Sequence, residues 1–199
     1  MDLFSEEKTT LKLPNAELIY IPNFLSTFRA TQYFEDLKEI TNWQEDNITI
    51  FGKTYKQPRL TALFAENNTP YTYSNITMHP QPLTPELLNI KKNIEQEIDH
   101  RFTSVLLNLY RDGSDSNGWH ADNEKELGKN PVIASVSLGA VRPFHFKHRT
   151  LKEERYKLNL EHGSLLIMKG EMQHHWLHQI AKTKKEIGSR INLTFRTLL

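Results

Sequence analysis

The chain has no cysteine, so it forms no disulfide framework, and any metal it holds must be ligated by His, Asp or Glu. It also has no apolar run near the roughly 18–20 residues that span a bilayer, which predicts no membrane partner. The first residues, MDLFSEEKTTLKLPNAE, lack the basic and apolar regions of a secretory signal. The expectation is an intracellular protein, cytoplasmic if bacterial and nuclear if eukaryotic. Internal repeats, low-complexity tracts and an obvious linker are missing as well, and 199 residues fit one domain over 1–199, expected to be a monomer. Net charge is only +1 but is unevenly spread: residues 1–100 hold 9 Lys/Arg against 14 Asp/Glu, residues 101–199 hold 16 against 10. Much of the basic excess lies in RPFHFKHRTLKEERYK (142–157) and KTKK (182–185). That pattern suits a polyanionic partner and, equally, an unevenly charged solvated surface.

Two segments have helical spacing. In 26–43, Ser26 suits the N-cap and Phe28, Tyr33, Leu37 and Ile40 recur near the helical period. In 84–102, Thr84 suits the cap and Pro85 the first helical position, while Leu87/Leu88, Ile90/Lys91, Ile94 and Ile98 build one face. Residues 44–83 read as turns and short strands, punctuated by Gly52, Pro58, Pro70 and Pro80. From 103 onward come short β-rich runs: SVLLNLY, VIASVSLG, RPFHFKH, YKLNLEHGSLLIMK, HHWLHQI and SRINLTFRTL. The predicted class is α+β, a two-sheet sandwich or jelly roll buttressed by N-terminal helices.

The stretch NGWHADNEKELG places His120 and Asp122 two residues apart. In a strand, residues i and i+2 project from one face, so an imidazole and a carboxylate could aim at one point. Two His and one carboxylate leave open positions on a non-haem Fe(II). A distant His must complete the set, and His145, His148, His162, His174, His175 and His178 are all candidates. In HHWLHQI the alternation groups His174, Trp176 and His178 on one face, and His175, Leu177 and Gln179 on the other.

The run SRINLTFR puts Arg190, Asn192, Thr194 and Arg196 on one face and Ile191, Leu193 and Phe195 on the other. Two arginines framing an Asn and a Thr suit a small dicarboxylate, because guanidinium groups grip carboxylates bidentately. LLNLY repeats the pattern, with Asn108 and Tyr110 facing one way and Leu107 and Leu109 the other. Together they predict a pocket with polar walls and an apolar back.

The segments NLYRDGSDSNGWHADNEKELG, IASVSLGAVRPFHFKH, HGSLLIMKGEMQHHWLH and RINLTFR resemble the AlkB family of Fe(II)- and 2-oxoglutarate-dependent dioxygenases, in consistent order from about Ile50 to Arg196. The resemblance implies a double-stranded β-helix, a jelly-roll variant, as the core over 103–199, with 1–102 as an N-terminal extension carrying the nucleotide-recognition region. It matches His120, Asp122 and His178 to the metal ligands, which selects His178 among the candidates. It matches Arg190 and Arg196 to the arginines that hold 2-oxoglutarate, Asn108, Tyr110 and Thr194 to further co-substrate contacts, and Asn192 to a supporting Asn.

The activity implied is oxidative demethylation of N-alkylated bases such as 1-methyladenine and 3-methylcytosine. It consumes O2 and 2-oxoglutarate, releases succinate, CO2 and formaldehyde, and serves repair of alkylated DNA, with RNA as a second substrate. TPYTYSNITM resembles the nucleotide-recognition segment, which makes Tyr71, Thr72 and Tyr73 substrate candidates, with Tyr73 and His120 sandwiching the base. IFGKTYKQPRL resembles the hairpin of duplex-acting relatives, with Phe51 as the wedge beside Gly52, and Lys53 and Arg59 on phosphates or the flanking strand. PRLTALFAENNTPYTYSNITM instead resembles relatives that prefer single strands, so the two segments point opposite ways on strandedness. Asn123 and Glu124 follow the metal aspartate where the family often has two acids, and Asn123 keeps an acceptor without the charge that favours a cationic base. Two alternatives compete: an oxygenase of a protein, lipid or small molecule, and a nucleic-acid-binding module without catalysis.

Overall fold

The computed structural model describes residues 7–50, 52–73 and 76–199, with the side chains at 49, 50, 71–73 and 76 outside the description. In chain order its elements are β1 (Thr9–Leu13), β2 (Ala16–Ile21), α1 (Thr27–Ile40), β3 (Asn47–Ile50), β4 (Lys53–Lys56), β5 (Leu60–Ala65), β6 (Tyr71–Tyr73), β7 (Ile76–Met78), β8 (Gln81–Pro82), α2 (Pro85–Ile98), β9 (Ser104–Tyr110), β10 (Asn117–His120), β11 (Ile133–Gly139), β12 (Arg142–His148), β13 (Arg155–Leu160), β14 (Ser164–Lys169), α3 (Met172–His175), β15 (Trp176–Ile180) and β16 (Arg190–Arg196). An eight-stranded sheet runs β1-β2-β14-β11-β16-β9-β5-β8 and a four-stranded sheet runs β10-β15-β12-β13. This is the expected jelly roll. Four strands of the larger sheet, β1, β2, β5 and β8, come from before residue 103.

Strand alternation divides the larger sheet into two dry faces. Leu107, Leu109, Val136, Leu165, Ile167, Ile191, Leu193 and Phe195 join Ala30 and Leu37 of α1 and Leu87, Ile90 and Ile94 of α2 in one core. Leu166, Met168, Tyr110 and Ile133 point the other way and meet Phe144, Phe146, Leu158, Trp176 and Ile180 of the smaller sheet. All seven residues of β9 and all seven of β16 are therefore buried.

Both helices start where expected. The Ser26 Oγ accepts from the Arg29 N–H at 3.4 Å and the Thr84 Oγ1 from the Leu87 N–H at 3.4 Å. Both end early. The chain leaves α1 at Thr41 in extended conformation and then pairs Gln44 with Thr61 of β5. Asp99 stops α2 in the left-handed region at φ 48°, and Phe102 drops into the core beyond it. Ala30 and Leu37 are the buried residues of α1, with Phe34 and the expected Tyr33 half-buried against the same core, whereas the expected Phe28 and Ile40 are 76% and 54% exposed. The run YKLNLEHGSLLIMK is two strands in different sheets, turned at Gly163. There φ is +81° and a Cβ would stand 2.6 Å from the Leu25 carbonyl oxygen, so glycine is required.

Candidate functional site

Strand β10 pairs with β15 so that His120 stands directly opposite His178, after an irregularity between Asn117 and His120. The imidazole rings lie 4.3 Å apart. The strand ends at His120, so Asp122 does not share a strand face with it as expected. Asp122 is instead fixed by two other elements: its N–H donates to the Gln173 Oε1 of α3 at 2.9 Å, and its Oδ2 receives Arg196 Nη2 of β16 at 3.0 Å. One ligand atom from each of His120, Asp122 and His178 falls within 4.8 Å of the others.

The protonation states suit a cation. Burial drives the His178 imidazole down to about 3, helped by His120 and Arg196, and burial lowers His120 as well. Both rings are therefore neutral at physiological pH, and the 3.9 Å approach of His120 to Asp122 is no ion pair. Burial alone would raise Asp122, but Arg196 and the two imidazoles outweigh it and hold the carboxyl at about 2. The His120 Nδ1 donates to the Gly118 carbonyl at 2.7 Å, which leaves the Nε2 lone pair facing the site. That lone pair receives the Asn117 amide at 3.1 Å. Asp122 Oδ1 and His178 Nδ1 are buried with no hydrogen-bond partner among the described residues. Such atoms are rare unless a ligand completes them. Two neutral imidazoles and one carboxylate, with unfilled acceptor capacity, fit Fe(II).

Beside the triad a cleft of about 460 Å³, part of it open to solvent, is lined by Asn108, Tyr110, Ser135, Arg190, Asn192, Thr194 and Arg196, with Phe144, Leu160, Met168 and Ile180 as its apolar wall. Sheet register builds the polar side: Ser137, Asn192, Asn108 and Thr61 stand abreast on β11, β16, β9 and β5. Arg190 Nη2 donates to Ser137 Oγ at 2.9 Å and to Asn192 Oδ1 at 2.7 Å, and the Tyr110 side chain is a further, less well aligned partner of the guanidinium; among the described residues its Nε and Nη1 have no acceptor of full hydrogen-bonding geometry. Ser135 Oγ donates to Asn192 Oδ1 at 2.9 Å and Asn192 Nδ2 to Thr194 Oγ1 at 2.7 Å. Burial lowers the Arg190 guanidinium to about 10, so it stays charged at neutral pH. Two guanidinium groups against the single carboxylate of Asp122 leave this cleft positive, which suits a dianion.

Other expectations fare unevenly. Arg59, expected on phosphates, is 4% exposed and turned inward, its Nε donating to Asn108 Oδ1 at 2.7 Å and its Nη1 to the Ser116 carbonyl at 3.3 Å. It does not line the cleft itself but holds Asn108, which does. Gly52, at φ +76°, and Lys53 are exposed at the turn of the β3–β4 hairpin, and Phe51 lies outside the described residues. Tyr71, Thr72 and Tyr73 form β6, paired with β7 in a separate small sheet, and their side chains lie outside the description. Asn123 is exposed and Glu124 half-buried.

Among the remaining histidines, His174 and His175 sit on α3 and not on the strand with Trp176 and His178, since the chain makes one helical turn before β15 begins. His145 pairs across with Lys157 on the outer side of the smaller sheet, away from Phe144 and Phe146. His148 Nδ1 accepts from the backbone of Thr150 and Leu151, and His162 Nδ1 accepts from Gly139. Sequence reasoning missed Ser135, Ser137, Asn117 and Gln173. The i, i+2 serines of IASVSLG carried a usable signal, and Gln173 on its one-turn helix carried none.

The sequence model of the 2OG-Fe(II) oxygenase superfamily matches residues 17–196. The chain is 44% identical over 186 residues to "Alpha-ketoglutarate-dependent dioxygenase alkB homolog 3" of Bos taurus, covering 89% of this chain and 64% of that protein. It is 38% identical over 180 residues to "DNA oxidative demethylase ALKBH2" of Homo sapiens, covering 85% of this chain and 69% of that protein. The chain thus spans somewhat under two thirds of the length of alkB homolog 3. The solved structure of OsALKBH1 superposes with a TM-score of 0.67 at 18% identity, over 94% of this chain and 100% of that one, a likeness of fold.

Proposed function

Because this chain belongs to the 2OG-Fe(II) oxygenase superfamily and, within it, to the AlkB family, we propose that it is a 2-oxoglutarate-dependent dioxygenase that removes N-alkyl groups from damaged bases in DNA, and in RNA as a second substrate. The observation that carries the reading is the His120–Asp122–His178 cluster, within 4.8 Å, opening onto a cleft that ends in Arg190 and Arg196. Methylated adenine and cytosine are the proposed bases, and the relatives named DNA oxidative demethylase support nucleic acid as the substrate.

His120, Asp122 and His178 would hold Fe(II), and Arg190 with Arg196 would take the carboxylates of 2-oxoglutarate. Bound there, Fe(II), 2-oxoglutarate and O2 supply the oxidation that converts an N-methyl group to N-hydroxymethyl, with succinate and CO2 as co-products. The hydroxymethyl base then releases formaldehyde: the C–N bond breaks with its electron pair left on the ring nitrogen, and the hydroxyl proton departs to water. The chain's own part is positional. Gln173 holds the Asp122 backbone N–H and Arg196 the Asp122 carboxylate, and Gly118 fixes the His120 tautomer. Phe144, Leu160, Met168 and Ile180 keep water from the far side of the cleft.

The test is mass spectrometry of a 1-methyladenine oligonucleotide, single-stranded and duplex in parallel, incubated with the protein, Fe(II), 2-oxoglutarate and O2. The expected result is loss of the methyl mass, and its absence when Asp122→Ala replaces the wild type. Succinate formed while the methyl group stays would keep the metal site and reject the substrate. The ratio between strands measures whether Phe51 acts as a wedge.

A further inference from the structure

Arg142 opens β12 and is 0% exposed, yet it does not line the cleft. Among the described residues no carboxylate lies within ion-pair distance of it. A buried guanidinium is costly unless its donors are used. Here the two terminal nitrogens are used on main chain: Nη1 donates to the Asp112 carbonyl at 3.1 Å, and Nη2 to those of Asp115 at 3.0 Å and Ala181 at 2.7 Å, while Nε has no hydrogen-bond partner among the described residues. Asp112 and Asp115 lie on the loop from β9 to β10, and Ala181 follows β15. One side chain therefore ties the end of the strand that carries Tyr110 to the loops bounding the strands that carry His120 and His178.

The same guanidinium stands 5.6 Å from the centre of the Tyr110 ring, and the guanidinium of Arg190 stands 5.3 Å from that ring. Two buried cations thus share one aromatic surface, which attracts both while they repel each other. Burial lowers both, and the charge of Arg142 lowers Arg190 further. A bound carboxylate at Arg190 relieves that repulsion, so the pair is better matched to the dianion-filled cleft than to the empty one.

We infer that Arg142 is a positioning residue of the dicarboxylate subsite: through Tyr110 and its three carbonyl contacts it fixes Arg190 and sets the affinity for 2-oxoglutarate. This rests on reading the cleft as the 2-oxoglutarate site. A clamp with only a structural role would lower thermal stability, and would weaken metal and dicarboxylate alike or neither.

The experiment uses the full chain with Mn(II) in place of Fe(II), which prevents turnover. Calorimetry gives the Kd for Mn(II) alone and then for 2-oxoglutarate on the Mn(II) protein. Arg142→Met keeps the volume without the charge, whereas Arg142→Lys keeps the charge without the fork that bridges three carbonyls. The expected result is a loss of about tenfold or more in 2-oxoglutarate affinity for Arg142→Met, with Mn(II) affinity within about twofold of wild type, and a partial recovery in Arg142→Lys. Unchanged 2-oxoglutarate affinity in Arg142→Met overturns the inference, as does a parallel loss of both affinities. If Arg142→Met does not fold, Arg142→Lys decides, because wild-type 2-oxoglutarate affinity there is equally fatal. A wild type that binds Mn(II) but not 2-oxoglutarate overturns this inference together with the reading of the cleft.

Discussion

On one side of β16, Ile191, Leu193 and Phe195 are 0% exposed against α1, α2 and their neighbours. On the other side Arg190, Asn192, Thr194 and Arg196 are 1–8% exposed. The two faces are almost equally dry but not equally content. Removing apolar surface from water yields roughly 25 cal/mol per Å², so the first face is complete as folded. The second gives up water around guanidinium, amide and hydroxyl groups and recovers part of that through bonds such as Ser137–Arg190 and Asn192–Thr194. The same seven residues carry stability on one side and ligand readiness on the other.

Mutations can separate the faces. Phe195→Ala should cost about 3–5 kcal/mol, seen as a lowered urea midpoint, because it opens a cavity in the helix-side core. The folded fraction should keep its Mn(II) affinity, and loss of metal binding in step with stability would show that the faces are not independent. Arg190→Met should leave the ligand-free protein as stable as wild type or raise it by about 1–2 kcal/mol, since a buried charge with unused donors is removed. It should also abolish the stabilisation by 2-oxoglutarate, about 2.7 kcal/mol for the wild type at a hundredfold excess over Kd. A destabilised Arg190→Met would mean that the polar face is structural after all. Ser137→Ala, the mildest, should cost about 0.5–1.5 kcal/mol and weaken 2-oxoglutarate several-fold, measured by calorimetry on the Mn(II) protein.

What was legible in the sequence was whatever a local period or a short motif encodes. The split of 190–196 into two faces, the caps at Ser26 and Thr84, and the convergence of His120, Asp122 and His178 all appear in the structure. The three residues converge by a different local route from the one expected, because Asp122 is aimed by Gln173 and Arg196 and not by strand alternation. The rest depends on tertiary context. The β1–β2 hairpin is an edge ribbon whose turn matters because the Trp176 indole donates to the Pro14 carbonyl at 2.9 Å, a partner 162 residues away. Arg59 carries no mark of its inward turn, since its partner Asn108 is supplied by the neighbouring strand. Phe28 and Ile40 satisfied the helical period and still face outward, because which stripe of α1 meets the sheet is set by the close seat of Phe34 against Gly139.

If His120 and His178 hold the metal as proposed, their direct opposition across β10 and β15 would make it an inspector of folding. A slip of one residue between these strands would send one imidazole to the outer side of the sheet, and half a ligand set cannot grip Fe(II). On the proposed reading, oxidising power would be loaded only onto chains whose smaller sheet has been zipped in register, and a misaligned copy would be left inert.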